Sequence, residues 1–106
     1  MKRPTKSNFA NALRLVRRAR GLTQEDFDAI SSRVYISALE RSIKQPTLSK
    51  VDDLADHLGV HPLTLLTLAY SAKSSSRDAR RLGELVALEI DAVLQASAEI
   101  ASPGAS

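Results

Sequence analysis

Leu13-Arg14-Leu15-Val16-Arg17-Arg18-Ala19-Arg20-Gly21-Leu22-Thr23-Gln24-Glu25-Asp26-Phe27 is the stretch that decides the fold. Its first half continues an amphipathic helix expected over about Ser7 to Arg20. Phe9, Leu13 and Val16 form one stripe of that helix, and Arg14, Arg17 and Arg18 occupy its other sides. Gly21 then supplies the left-handed residue that commonly ends a helix, since a residue without Cβ adopts positive φ at little cost. Two residues later, Thr23 offers an N-cap hydroxyl, and Glu25 and Asp26 suit the positive end of a helix dipole. Asp26 is a shorter version of the glutamate that completes a capping box. The pattern is a helix, a glycine stop and a capped second helix that is brief and turns Phe27 and Ile30 inward.

The same punctuation recurs downstream. Ser31-Ser32 reads as the turn and N-cap of a third helix over about 33–42, with Ile36 and Leu39 as core residues. Ile43-Lys44-Gln45-Pro46 breaks it, because the residue before proline avoids helical dihedrals. Thr47 caps a fourth helix with Leu48, Val51, Leu54, Ala55 and Leu58 at core spacing, and Gly59 stops it. His61-Pro62 opens a fifth, whose apolar residues are Leu63, Leu65, Leu66, Leu68 and Ala69. The domain is therefore expected over 7–71, with a serine-rich linker over 72–77. A long C-terminal helix over 78–100 follows. Leu82, Leu85, Val86, Ile90, Val93 and Leu94 make its broad apolar stripe, with Glu84, Asp91 and Gln95 off it. A basic arm (1–6) and a tail (101–106) are expected to be flexible. No strand-like alternation appears, so the fold class is all-α.

Composition narrows the function. The 106 residues include no cysteine, which excludes disulfides and thiolate metal sites. The basic start Met1-Lys2-Arg3-Pro4-Thr5-Lys6 is followed by no apolar run, so no signal peptide is read, and no segment is long enough to span a bilayer. A cytoplasmic protein is expected. The net charge of +3 conceals an asymmetry. Residues 1–50 carry eleven Lys/Arg against four Asp/Glu, whereas residues 51–106 carry four against eight. A half that binds a polyanion, joined to a half with another task, fits that split. Four aromatics are too few for a base-stacking platform, which argues against single-stranded nucleic acid.

These segments, together with Tyr35-Ile36-Ser37-Ala38-Leu39-Glu40-Arg41, Pro46-Thr47-Leu48 and Leu54-Ala55-Asp56-His57-Leu58-Gly59-Val60, resemble the Cro/cI-type (XRE) helix-turn-helix family from about Phe9 to Leu68. The resemblance implies a five-helix lambda-repressor-like DNA-binding domain followed by the long C-terminal helix. It also implies a transcriptional regulator of duplex DNA, most simply a repressor, that needs no cofactor or metal. One departure stands out. Ala29-Ile30-Ser31-Ser32-Arg33 holds no glycine and is about two residues shorter than the commoner family spacing, so the second helix ends early or the turn is tighter.

In such a domain the third helix enters the major groove with its N-terminal residues toward the base edges. Arg33 is then suited to guanine O6 and N7, and Val34 to a thymine methyl. Ser37 supplies a hydroxyl, and Ala38 permits close approach. Gln24 resembles the family's phosphate-binding end. Arg41, Lys44, Arg17 and Lys50 are the other candidates for the DNA backbone. The family pattern implies that Glu40 pairs with Arg14 or Arg17.

Two rival classes remain for this sequence. An enzyme would have to use His57, His61 and the nearby Asp52, Asp53 and Asp56, but no nucleophile, phosphate loop or metal spacing accompanies them. His61 reads as a helix cap. A protein-interaction module, such as an antitoxin, is the stronger rival. The stripe over Leu82–Leu94 needs a cover, which is its own domain, a second copy in a homodimer, or a foreign protein.

Overall fold

The computed structural model describes residues 7–101; the expected arm over 1–6 and the tail from 102 lie outside the described residues. The order is α1 (Phe9–Ala19), a 3₁₀ turn (Gln24–Phe27), α2 (Arg33–Glu40), α3 (Leu48–Leu58), α4 (Pro62–Tyr70) and α5 (Ser76–Ala101). No strand occurs among the described residues. The all-helical architecture is the one read from the pattern of caps and stripes.

Each element begins where a cap satisfies orphan amides. Asn8 Oδ1 accepts from the Asn11 amide at 3.1 Å to open α1, and Ser32 Oγ accepts from Tyr35 at 3.1 Å to open α2. Thr47 Oγ1 accepts from Lys50 at 3.1 Å for α3. His61 Nδ1 accepts from Leu63 at 3.0 Å for α4, with Pro62 in the first turn. Gly21 and Gly59 leave α1 and α3 at φ +70° and +71°. The brief second helix is a single 3₁₀ turn. The Asp26 carboxylate takes both the Thr23 amide, at 2.6 Å, and the Thr23 hydroxyl, at 3.0 Å. Those bonds hold the Asp26 pKa below the usual carboxylate range, the backbone bond first. The chain then closes tightly, with the Ile30 and Ser31 amides both donating to the Phe27 carbonyl at 2.9 Å. This is how the glycine-free connection is made: the second helix ends early.

Around this turn, Phe27, Leu13, Ile36, Leu39, Leu54 and Leu65 are fully buried and draw the first five elements into one core. The α1–α4 contact closes it, and the Asn8 amide donates to the Ala69 carbonyl at 2.6 Å. Ile30 is only partly buried against this core. Two residues expected inside are not. Leu48, at the first position of α3, is 75% exposed, and Leu63, at the second position of α4, is 60% exposed. Both lie in a first turn on the side that faces away from the core, whereas Phe9, which opens α1, is buried.

α2 ends at Glu40, two residues short of the expected 33–42, because Ser42 adopts the left-handed conformation at φ +59°. The Ile43 and Lys44 amides then fold back onto the Ala38 carbonyl at 2.9 and 3.3 Å. α5 starts inside the expected linker, where Ser75 Oγ accepts from the Asp78 amide at 3.2 Å. Its root is fastened to the domain by Asn11 Nδ2, which donates to Ser74 Oγ at 3.1 Å. Its 26 residues extend roughly 39 Å. They bury no side chain of their own, and the molecule measures 59 × 27 × 24 Å.

Candidate nucleic-acid interface

α2 stands on a polar anchor. Arg17 of α1 donates to Glu40 through Nε (2.6 Å to Oε2) and through a terminal nitrogen (2.8 Å to Oε1). Gln24 Nε2 donates to the same Oε1 at 3.1 Å, and Arg14 donates to the Glu40 carbonyl at 2.8 Å. Glu40 is 4% exposed. Burial alone would raise its pKa. The bonds from Arg17 and Gln24, with the charges of Arg17 and Arg14, outweigh burial and hold the carboxyl below its ordinary range. The bond to Glu40 raises the Arg17 pKa in turn. A bidentate pair of this kind fixes position as well as charge, so the C-terminal end of α2 is locked to α1 and to the 3₁₀ turn together.

The anchor leaves the other face of α2 outward. Val34 is 78% exposed and the Arg33 side chain 65%. Gln24, Arg33, Val34, Ser37 and Arg41 line one open depression of about 350 Å³. Three expected base readers and two expected phosphate contacts thus share a single surface. Lys44, also exposed, follows just past α2, with its ammonium 5.9 Å from the Tyr35 ring centre.

Three candidates are differently employed. Ala38 is 6% exposed and faces the core side of α2, so it is not available to approach a base. Its carbonyl instead ends the helix. Arg17 is 11% exposed and is consumed by Glu40 and by the Leu22 carbonyl at 2.9 Å, which leaves it no free face for a phosphate. Lys50 donates to the Ile30 carbonyl at 3.0 Å and lies 5.5 Å from the Tyr35 ring centre, bracing the turn that precedes α2.

Two participants were not foreseen. Glu25 forms an exposed ion pair with Arg33 at 3.0 Å, eight residues away across the turn, and no periodicity signals such a contact. Tyr35 lies within cation–π range of both Lys44 and Lys50, a grouping that exists only once the loop and α3 are in place. The histidines form no site. His57 packs its ring 4.8 Å from that of Phe27, His61 is the α4 cap, and no cluster able to hold a metal occurs among the described residues.

A helix-turn-helix family model matches residues 13–65, the span that carries this anchor and this surface. The chain belongs to the helix-turn-helix family. Within that family it is similar to the uncharacterized HTH-type transcriptional regulator y4dJ of Sinorhizobium fredii (strain NBRC 101917 / NGR234). The two are 42% identical over 69 residues, which cover 63% of this chain and 84% of the relative. No solved structure matches the chain significantly. No described helix is long and apolar enough to cross a membrane.

Proposed function

We propose that this chain is a sequence-specific regulator of transcription that binds duplex DNA through α2, acting as a homodimeric repressor. The observation that carries this reading is the outward N-terminal face of α2. Its arginine and valine are largely exposed, and Ser37, Gln24 and Arg41 share their surface. In the groove, Arg33 reads guanine O6 and N7, Val34 meets a thymine methyl and Ser37 supplies a hydroxyl. Gln24, Arg41 and Lys44 take phosphates. Arg17 and Lys50 act through the elements they hold rather than on DNA. The similarity to a named transcriptional regulator supports the regulatory role. A repressor role is the simplest one for a small domain that occludes the DNA it binds.

The homodimer rests on the unburied apolar stripe of α5, in which Leu85 and Ile90 are 49% and 51% exposed and Val93 and Leu94 more so. Two copies would read half-sites about 34 Å apart. Selection of bound sequences from random duplexes tests the whole reading: a palindromic motif is expected, and recovery of unrelated sequences overturns it. A protein-interaction module such as an antitoxin uses the same stripe, and it differs in requiring a second, unlike chain for a stable complex.

A further inference from the structure

We infer that α5 pairs with α5 of a second copy in antiparallel orientation, laying the acidic end of each helix beside the basic root of the other. The inference rests on the homodimer proposed above and specifies its geometry. Its first support is a groove. Leu63, Leu66 and Tyr70 of α4 and Leu82, Val86 and Ile90 of α5 line an open apolar cleft of about 510 Å³. The exposed stripe continues from its far end through Val93 and Leu94. One helix therefore presents two apolar regions in series, a cleft near its root and a bare ridge beyond it. An antiparallel copy sets its ridge into the cleft and offers its own cleft to the first ridge. A parallel copy sets cleft against cleft and leaves both under-filled.

Charge supplies the second and independent support. Arg77, Arg80 and Arg81 lie at the root of α5 against one carboxylate, Asp78, so the root is net positive, and Glu84, Glu89, Asp91 and Glu99 all follow them. Helical spacing puts Glu89 within the stripe, beside Val86 and Val93, and sets Arg80, Arg81, Asp91 and Glu99 on its flanks. Arg81 and Glu99 are about five turns apart and share one flank; Arg80 and Asp91 are about three turns apart and share the other. All four are exposed, and Glu99 accepts from Gln95 at 3.3 Å within its own helix. When two helices run antiparallel about a two-fold axis, each flank meets the same flank of its partner, end for end. With Val93 and Leu94 seated in the partner's cleft the two-fold axis passes near residue 90, so Arg81 faces the partner's Glu99 and Arg80 lies at the same acidic end. In a parallel pair the arginines gather at one end and the carboxylates at the other, so like charges oppose along the whole length.

The test is a charge swap on the full chain, read as molecular mass by sedimentation equilibrium at low salt, with helicity checked by circular dichroism. The unaltered chain is expected to dimerise. Arg80→Glu with Arg81→Glu is expected to raise the dimer dissociation constant about tenfold or more, through like-charge repulsion from the partner's Glu99 at each end of the pair. Adding Glu99→Lys to that variant is expected to restore dimerisation. A dimer indifferent to these reversals, or one weakened and not restored, overturns the antiparallel orientation and leaves the homodimer standing. A monomeric unaltered chain overturns both.

Discussion

Arg17 and Glu40, 23 residues apart, are joined by two hydrogen bonds of 2.6 and 2.8 Å in a pair that water scarcely reaches. This contact turns a row of short helices into an oriented device. It ties the end of α2 to α1, and through Gln24 it ties the 3₁₀ turn to both. Glu40→Ala leaves the Arg17 charge buried without its partner, so a loss of about 3 kcal/mol is expected in urea unfolding.

The same pair governs acid sensitivity. The folded pKa of Glu40 lies below its unfolded value of about 4.3. Its contribution to stability is therefore complete above that pH and is lost as pH falls through the lower folded value. Glu40→Gln lowers stability at neutral pH and removes this component, so the acid limb of its stability profile is expected to be shallower. Urea midpoints measured from pH 7 to pH 2.5 check this, and an acid limb as steep as that of the unaltered chain contradicts it.

Arg33 and Lys44 separate two kinds of DNA contact. Arg33→Ala is expected to cost about 1–3 kcal/mol on the selected sequence and to relax discrimination at one base pair. Lys44→Ala weakens binding to all duplexes alike and lowers the salt slope by about one counterion. Titrations on matched and mismatched duplexes over a range of salt distinguish the two.

Among the described residues Glu25 is the one carboxylate paired with Arg33, and both side chains are about two-thirds exposed. The pair itself adds little stability, but in the proposed complex its negative charge would stand near the phosphates. Glu25→Gln is expected to tighten binding to every duplex several-fold at low salt while leaving the unfolding midpoint nearly unchanged. Equal affinity in the two proteins contradicts that role.

Ser42 holds a positive φ that L-residues adopt at a cost of about 1–2 kcal/mol, and Gly21 holds one that suits it. Ser42→Gly is expected to stabilise the chain by roughly 0.5–1 kcal/mol, and Gly21→Ala to destabilise it by about 1 kcal/mol although its Cβ would meet open space. Thermal unfolding of both variants checks the opposite signs.

Much of this was legible in the chain because caps and stops are local. The Ser-, Thr- and His-capped starts, and the glycine ends at 21 and 59, are decided within a few residues, whereas the Asn8 cap of α1 lies inside the helix expected from Ser7. The Glu40 partnership followed from the family pattern, and the structure resolves which arginine does what: Arg17 takes the carboxylate and Arg14 the carbonyl. Burial around α2 was less legible. Ala38 sits one residue beyond outward Ser37, and a shift of 100° about a short helix axis separates surface from core. Pairs such as Glu25–Arg33 and Lys50–Ile30 depend on how the turn closes, which composition does not encode. The stripe of α5 was read correctly as apolar, yet no pattern within one chain says what covers it.

The account depends above all on α2 meeting base edges in the major groove, and methylation protection of guanine N7 tests that most directly. On a selected duplex, the unaltered chain is expected to shield at least one guanine N7 in each half-site, and Arg33→Ala is expected to expose it while the complex still forms. Full N7 reactivity beneath a bound, footprinted protein contradicts the account.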